Sequence, residues 1–287
     1  MSASASLLPF VQLEYPGGTG IGDGRYLARS EGEASEVLVT ATLGAERAVA
    51  GRRRRHRAVR AADDPGAATI PVTRLTVVTP TPLDPDEAAH WLDEISNDAE
   101  AAAAQVEAAL RLINLAISAQ RAGGQNPYVH ELDASRAVAI RVGFGGGDDV
   151  ADGNWTDARE IQLPAERDRR AETLQAQERV AAVLGGRDAV LACENLVLRA
   201  HLDLEEGRRR EAALQLRVGL EALLRELAGD SRAGVQEDLA VLDDRRDEVV
   251  EAANGALRGD LSDDQAEAVG EVIARCERAL RRRRALS

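Results

Sequence analysis

All nine prolines of this 287-residue chain lie at or before Pro164, and all seven aromatic residues lie before residue 156. From Ala165 to Ser287 there is neither, only Leu, Ala and Val at helical spacing among charges. Proline ends helices and aromatics favour strands, so the chain must change structural class near residue 164. The expected fold class is α+β. A β-rich N-terminal unit over 1–163 is followed by an all-α unit over 164–287, a helical bundle or short helical array.

In the first part, Phe10 to Tyr15 reads as a strand, and Gly17 to Gly24 as a turn or loop. Arg25 to Arg29 and Glu36 to Leu43 read as a hairpin. Further strands are expected near 73–79 and 137–144, the second returning to the first sheet. Between them a long helix, 84–122, opens with Asp84 as N-cap, Pro85 at the first helical position and Glu87 completing a capping box. Asp84 to Glu100 carries seven acids and no arginine, which suits the positive end of a helix dipole. Ser96-Asn97 is a possible break in this helix.

The second part predicts about five helices, near 166–184, 188–206, 208–228, 235–257 and 262–284. Gly185-Gly186, Gly207, Gly229 and Gly259 punctuate them. Ser262 with Gln265 forms a second capping box. Within this part, Leu196, Ala200, Gly207, Ala212, Leu216, Gly219 and Leu220 have a recurring spacing. Small residues stand where two helices would cross, and a glycine where they would turn. This stretch, about residues 193–227, resembles one tetratricopeptide-type helical hairpin, a unit of about 34 residues. It lacks that repeat's usual aromatic positions and closing proline. The resemblance implies a partner-binding role, with Arg208, Arg209 and Arg217 on the acceptor surface.

Charge narrows the function classes. Net charge is −13 with 49 acids, which argues against wholesale binding to nucleic acid or anionic membranes. The 36 basic residues are all arginine, as expected from a high-GC bacterial coding sequence. Seven of them, against one Glu, fall between Gly44 and Arg60. Arg52, Arg53, Arg54, Arg55, Arg57 and Arg60 are therefore candidates for binding phosphates or a partner. A second basic cluster, Arg275, Arg278 and Arg281 to Arg284, complements the dipole at the end of the last helix.

Other chemistries find little support. Asp148 and Asp149 after the Gly143–Gly147 run would repel a phosphate. The acids Asp148 to Glu160, beside Trp155, lack the spacing of a calcium loop, and mark the place where a dispersed enzyme site would lie. The four histidines show no zinc spacing. His201 is placed to pair with Glu205, one helical turn on. Cys193 and Cys276 fall on apolar helix faces and read as buried thiols, not nucleophiles. No catalytic motif is present, and neither a cofactor nor a metal is expected. The chain has no apolar run long enough for a membrane span and no signal-peptide pattern, so a cytoplasmic location is expected. The leading expectation is a non-catalytic interaction or scaffolding protein with an unidentified protein partner. The alternatives are a nucleic-acid or nucleotide-binding protein using Arg52 to Arg60, and an enzyme with a dispersed site.

Overall fold

A computed structural model of the chain describes residues 6–30, 33–44, 70–163 and 169–285. It separates into two units, Met1–Ala165 and Glu166–Ser287, which together make the chain an α+β protein.

In the first unit six strands form one antiparallel sheet in the order β2-β3-β4-β1-β5-β6. The strands are β1 (Leu8–Pro16), β2 (Gly24–Ser30), β3 (Glu33–Leu43), β4 (Val72–Val78), β5 (Ala139–Gly145) and β6 (Asp157–Glu160). β1 runs between β4 and β5, so both its edges are hydrogen-bonded. Val11, Leu13 and Tyr15 enter the main core, while Phe10 joins Val78 and Val150 on the opposite face. β2 and β3 form the expected hairpin, with Ser30 opposite Glu33. β6 has no apolar pattern and was not expected from the sequence. It forms because β5 offers a free edge and because Gly143 leaves room for it. A Cβ on Gly143 would stand 2.4 Å from the Asp157 carbonyl oxygen.

Two helices cover the main core face. The long helix expected over 84–122 is broken into α1 (Pro85–Asn97) and α2 (Ala99–Gly123). Asp98 has extended backbone at the junction, and its carboxylate accepts from the amides of Glu100 and Ala101 to cap α2. The capping box of Asp84 and Glu87 is formed. Ala88, Leu92 and Ile95 of α1, and Val106, Ile113 and Ile117 of α2, pack on Leu13, Leu75 and Val142. Each such fully buried aliphatic side chain contributes about 1.5–3 kcal/mol. A short helix, α3 (Gly147–Asp152), covers part of the other face through Val150.

The second unit holds α4 (Arg169–Leu184), α5 (Ala192–Glu205), α6 (Arg209–Glu226), α7 (Ala233–Asp244), α8 (Arg246–Arg258) and α9 (Asp263–Ala285). α5 and α6 form a close helical hairpin. Gly207 turns it with φ of 73°, and a Cβ on Gly219 would lie 3.2 Å from the Leu196 Cβ. The Ser262–Gln265 capping box starts α9. The helix expected over 235–257 is instead α7 and α8, giving six helices among the described residues. α7 packs on α9 while α8 packs on α6, and one straight helix could not reach both. The break falls at Arg245, where nothing in the local sequence calls for one.

Candidate interaction surface

The acids around Trp155 do not converge. Arg25 pairs with Asp148 at 2.9 Å, and Arg159 with Asp157 at 3.0 Å. The Trp155 ring rests against Phe10 and over the Arg141 guanidinium, each 5.9 Å away. Beneath it, Arg74 and Arg141 both meet Glu14 Oε1 at 3.2 Å, and the Gln12 amide donates to Thr76 Oγ1. This is a hydrogen-bonded polar layer on the second sheet face, closed by the loop after β5. Among the described residues, no group of three or more His, Cys, Asp or Glu side chains is placed to hold a metal ion.

In the helical unit the arginines have an internal use. Three carboxylates are almost completely buried, and each is bracketed by two guanidiniums. Glu194 on α5 meets Arg179 of α4 at 2.6 Å and Arg284 of α9 at 3.2 Å, and also accepts the Leu191 amide. Asp203, one helix end away, meets Arg199 at 2.9 Å and Arg208 at 2.8 Å. Asp238 on α7 accepts from Arg275 at 3.0 Å, and its other oxygen lies 3.0 Å from Arg282 without hydrogen-bond alignment. An unpaired carboxylate at such burial would be prohibitive. Arginine suits the task, because its planar fork bridges carboxylates while its stem lies along apolar surface.

The arginines expected on the acceptor surface also have partners within the unit. Arg208 is held by buried Asp203, Arg209 pairs with Asp263 at 2.6 Å, and Arg217 donates to Asn254 Oδ1 at 3.2 Å. All three tie helices of the unit to one another. The terminal cluster likewise folds back, Arg275 and Arg282 onto Asp238 and Arg284 onto Glu194, while Arg232 donates to the Arg283 carbonyl near the end of α9. The candidates Arg52, Arg53, Arg54, Arg55, Arg57 and Arg60 lie outside the described residues.

The titratable groups of the unit are structural. Burial pushes the Cys193 and Cys276 thiols up to about 12, and the Glu226 carboxylate beside Cys193 adds to the shift there. Neither thiol supplies a thiolate at neutral pH. The same Glu226 accepts from the amides of Ala192 and Cys193, capping α5 from the end of α6. His201 places Nε2 2.8 Å from Glu205 and Nδ1 2.8 Å from Glu277, joining α5 to α9.

A concave feature lies between α7 and α9, an open groove of about 310 Å³. Val241, Leu242, Val272 and Ala274 supply apolar lining, and Arg245, Arg275 and Arg278 supply three cations against one acid, Glu271. A smaller depression of about 220 Å³ between α8 and α9 is lined by Glu248, Glu251 and Asp264 with no arginine. The groove was not foreseen. Arg275 and Arg278 stand out in the sequence, but the break at Arg245 that frees α7 to lie along α9 leaves no sequence signal.

The class these observations define is an α+β protein whose helical unit is ion-pair-locked and carries an open, cation-lined groove. Comparison with protein families, with curated proteins and with solved structures finds no match in any of the three.

Proposed function

We propose that this chain is a non-catalytic protein-interaction or scaffolding protein, and that its helical unit supplies the docking face. The observation that carries this reading is the open α7–α9 groove, a mixed polar and apolar trough on a unit tied together by paired buried charges. A preorganised face loses less conformational freedom on binding, which favours affinity without large area. The lack of enclosure suits a macromolecular partner better than a small substrate, whose sites bury most of the ligand. The tetratricopeptide-like hairpin of α5 and α6 is consistent with such a role. On this reading Arg208, Arg209 and Arg217 border the hairpin, and the α7–α9 groove extends the docking face.

The reading is tested by affinity capture of the tagged full chain from its host lysate, with and without nuclease, followed by mass spectrometry. A stoichiometric protein that survives nuclease is the expected result. Partners lost on nuclease treatment would move the function to phosphate recognition by Arg52 to Arg60, with the steep salt dependence that phosphate contacts impose. Capture of nothing in either sample would overturn the interaction reading.

A further inference from the structure

We propose that two copies of this chain pair through α4, antiparallel, with Val180 of each helix seated against Leu184 of the other and Glu178 of each beside Arg187 of the other. The inference is independent of the α7–α9 groove, and its occupant is a second copy of the same chain.

The inner side of α4 is tied to α5, where Arg179 meets the buried Glu194 at 2.6 Å, and Ala182 and Val183 are half-buried. Among the described residues, α4 gives no side chain to the core of the unit. On its outer side Ala176, Val180 and Leu184 recur every four residues, and Val180 is 58% and Leu184 83% exposed. A helix of 16 residues is marginal in water without an apolar face to bury, so this stripe is where α4 lacks support. Charge selects the occupant. Glu178 and Arg187 are exposed, and neither has an ion-pair partner among the described residues. Arg187 is fixed just past the helix end, because its amide donates to the Ala182 carbonyl at 2.8 Å and Gly186 turns the chain with φ of 68°. An antiparallel two-fold beside Ala182 brings Glu178 level with Arg187 of the second copy at both ends, and Val180 level with Leu184 between them. A parallel pair would set like charges at the same height, which repels. An acidic or a basic peptide would satisfy only one of the two charges, whereas α4 carries the complement of both. Two aliphatic side chains and one ion pair from each helix make a small interface, so the association is weak and reversible.

The test is sedimentation velocity of the full chain over a concentration series reaching the sub-millimolar range. A reversible monomer–dimer equilibrium is expected. Leu184→Glu should raise its dissociation constant at least about tenfold, because a carboxylate would be seated on apolar surface. Leu257→Glu, at a leucine of α8 that is 64% exposed, should leave it unchanged. Glu178→Arg and Arg187→Glu should each weaken the dimer, and the two together should restore it. Oxidation of an equimolar mixture of Val180→Cys and Leu184→Cys chains should give more cross-linked dimer than either variant alone, the native thiols being buried. All the substituted positions are exposed, and unchanged circular dichroism verifies folding. A chain that stays monomeric throughout, an equal loss with Leu257→Glu, or a dimer indifferent to Leu184→Glu would overturn the proposal. So would failure of the paired charge reversal to restore association, or faster cross-linking within either cysteine variant alone.

Discussion

Replacing Asp203 by alanine removes the shared acceptor of two guanidiniums at a site where the side chain is only 2% exposed. Arg208, at 12% exposure, loses one carboxylate contact at 2.8 Å, whereas Arg199, at 33%, is closer to water. At an effective dielectric near 20, each pair is worth on the order of 4 kcal/mol before desolvation is subtracted. Breaking a buried pair from one side costs about 3–5 kcal/mol, and the partly exposed Arg199 contact adds at most about 1 kcal/mol. We therefore expect Asp203→Ala to destabilise the helical unit by about 3 kcal/mol and Arg208→Ala by about 2–3 kcal/mol. Arg199→Ala should cost less than about 1 kcal/mol. The double variant Asp203→Ala with Arg208→Ala should fall short of additivity by about 1–3 kcal/mol. The assay is urea unfolding of the full chain followed by two probes. Both tryptophans, Trp91 and Trp155, belong to the first unit, so their fluorescence reports that unit alone. Far-UV circular dichroism reports the helices of both. The dichroism midpoint should drop by about 1–2 M urea while the fluorescence midpoint stays in place. A change below about 1 kcal/mol, or an equal shift in both probes, would refute the view that a local buried pair locks the unit.

Three other outcomes are expected. The two thiols, pushed up to about 12 by burial, should resist Ellman's reagent at pH 8 in the folded chain and both react in denaturant; rapid labelling of either without denaturant would contradict the structure. Burial pulls the His201 pKa down, but the hydrogen bonds and charges of Glu205 and Glu277 outweigh it and hold the pKa above its usual 6.5. The α5–α9 link should therefore stabilise fully below that value and fade as pH rises through the folded-state pKa. A thermal midpoint that falls over this range in the wild type, and less so in His201→Gln, checks the sign, and parallel profiles would exclude it. Finally, Gly153 has φ of 87°, and a Cβ there would stand 1.7 Å from Arg74 Nη1. Gly153→Ala should displace Arg74 from Glu14 and destabilise the first unit by about 1–3 kcal/mol, read from tryptophan fluorescence; a neutral substitution would show that the loop is not anchored there.

Much of the architecture was legible because it depends on local chemistry. Both capping boxes, the β2–β3 hairpin, the burial of Cys193 and Cys276 and the His201–Glu205 pair follow from residues a few positions apart. The change of class near residue 164 follows from where proline and aromatic residues stop, since their backbone preferences act wherever they occur. Other features had no local cause. β6 is a strand of Asp, Ala, Arg and Glu only because β5 has an edge and Gly143 clears the space. α7 and α8 separate at Arg245 because their apolar faces serve different neighbours.

The sequence by itself determined that the chain is α+β, where the capping boxes at Asp84 and Ser262 start their helices, and that arginine carries all its fixed positive side-chain charge. Only the tertiary structure decided what those arginines do. Glu194, Asp203 and Asp238 look in the sequence like any of the 49 acids, and become the most demanding residues of the helical unit once water is removed from around them. Solvation is a property of the folded surroundings, so the same residue type is a rim charge at Arg278 and an obligatory counter-ion at Arg208. The groove between α7 and α9 exists for the same reason. It is formed by two faces distant in sequence, and its charge is what remains after the buried carboxylates have taken their partners.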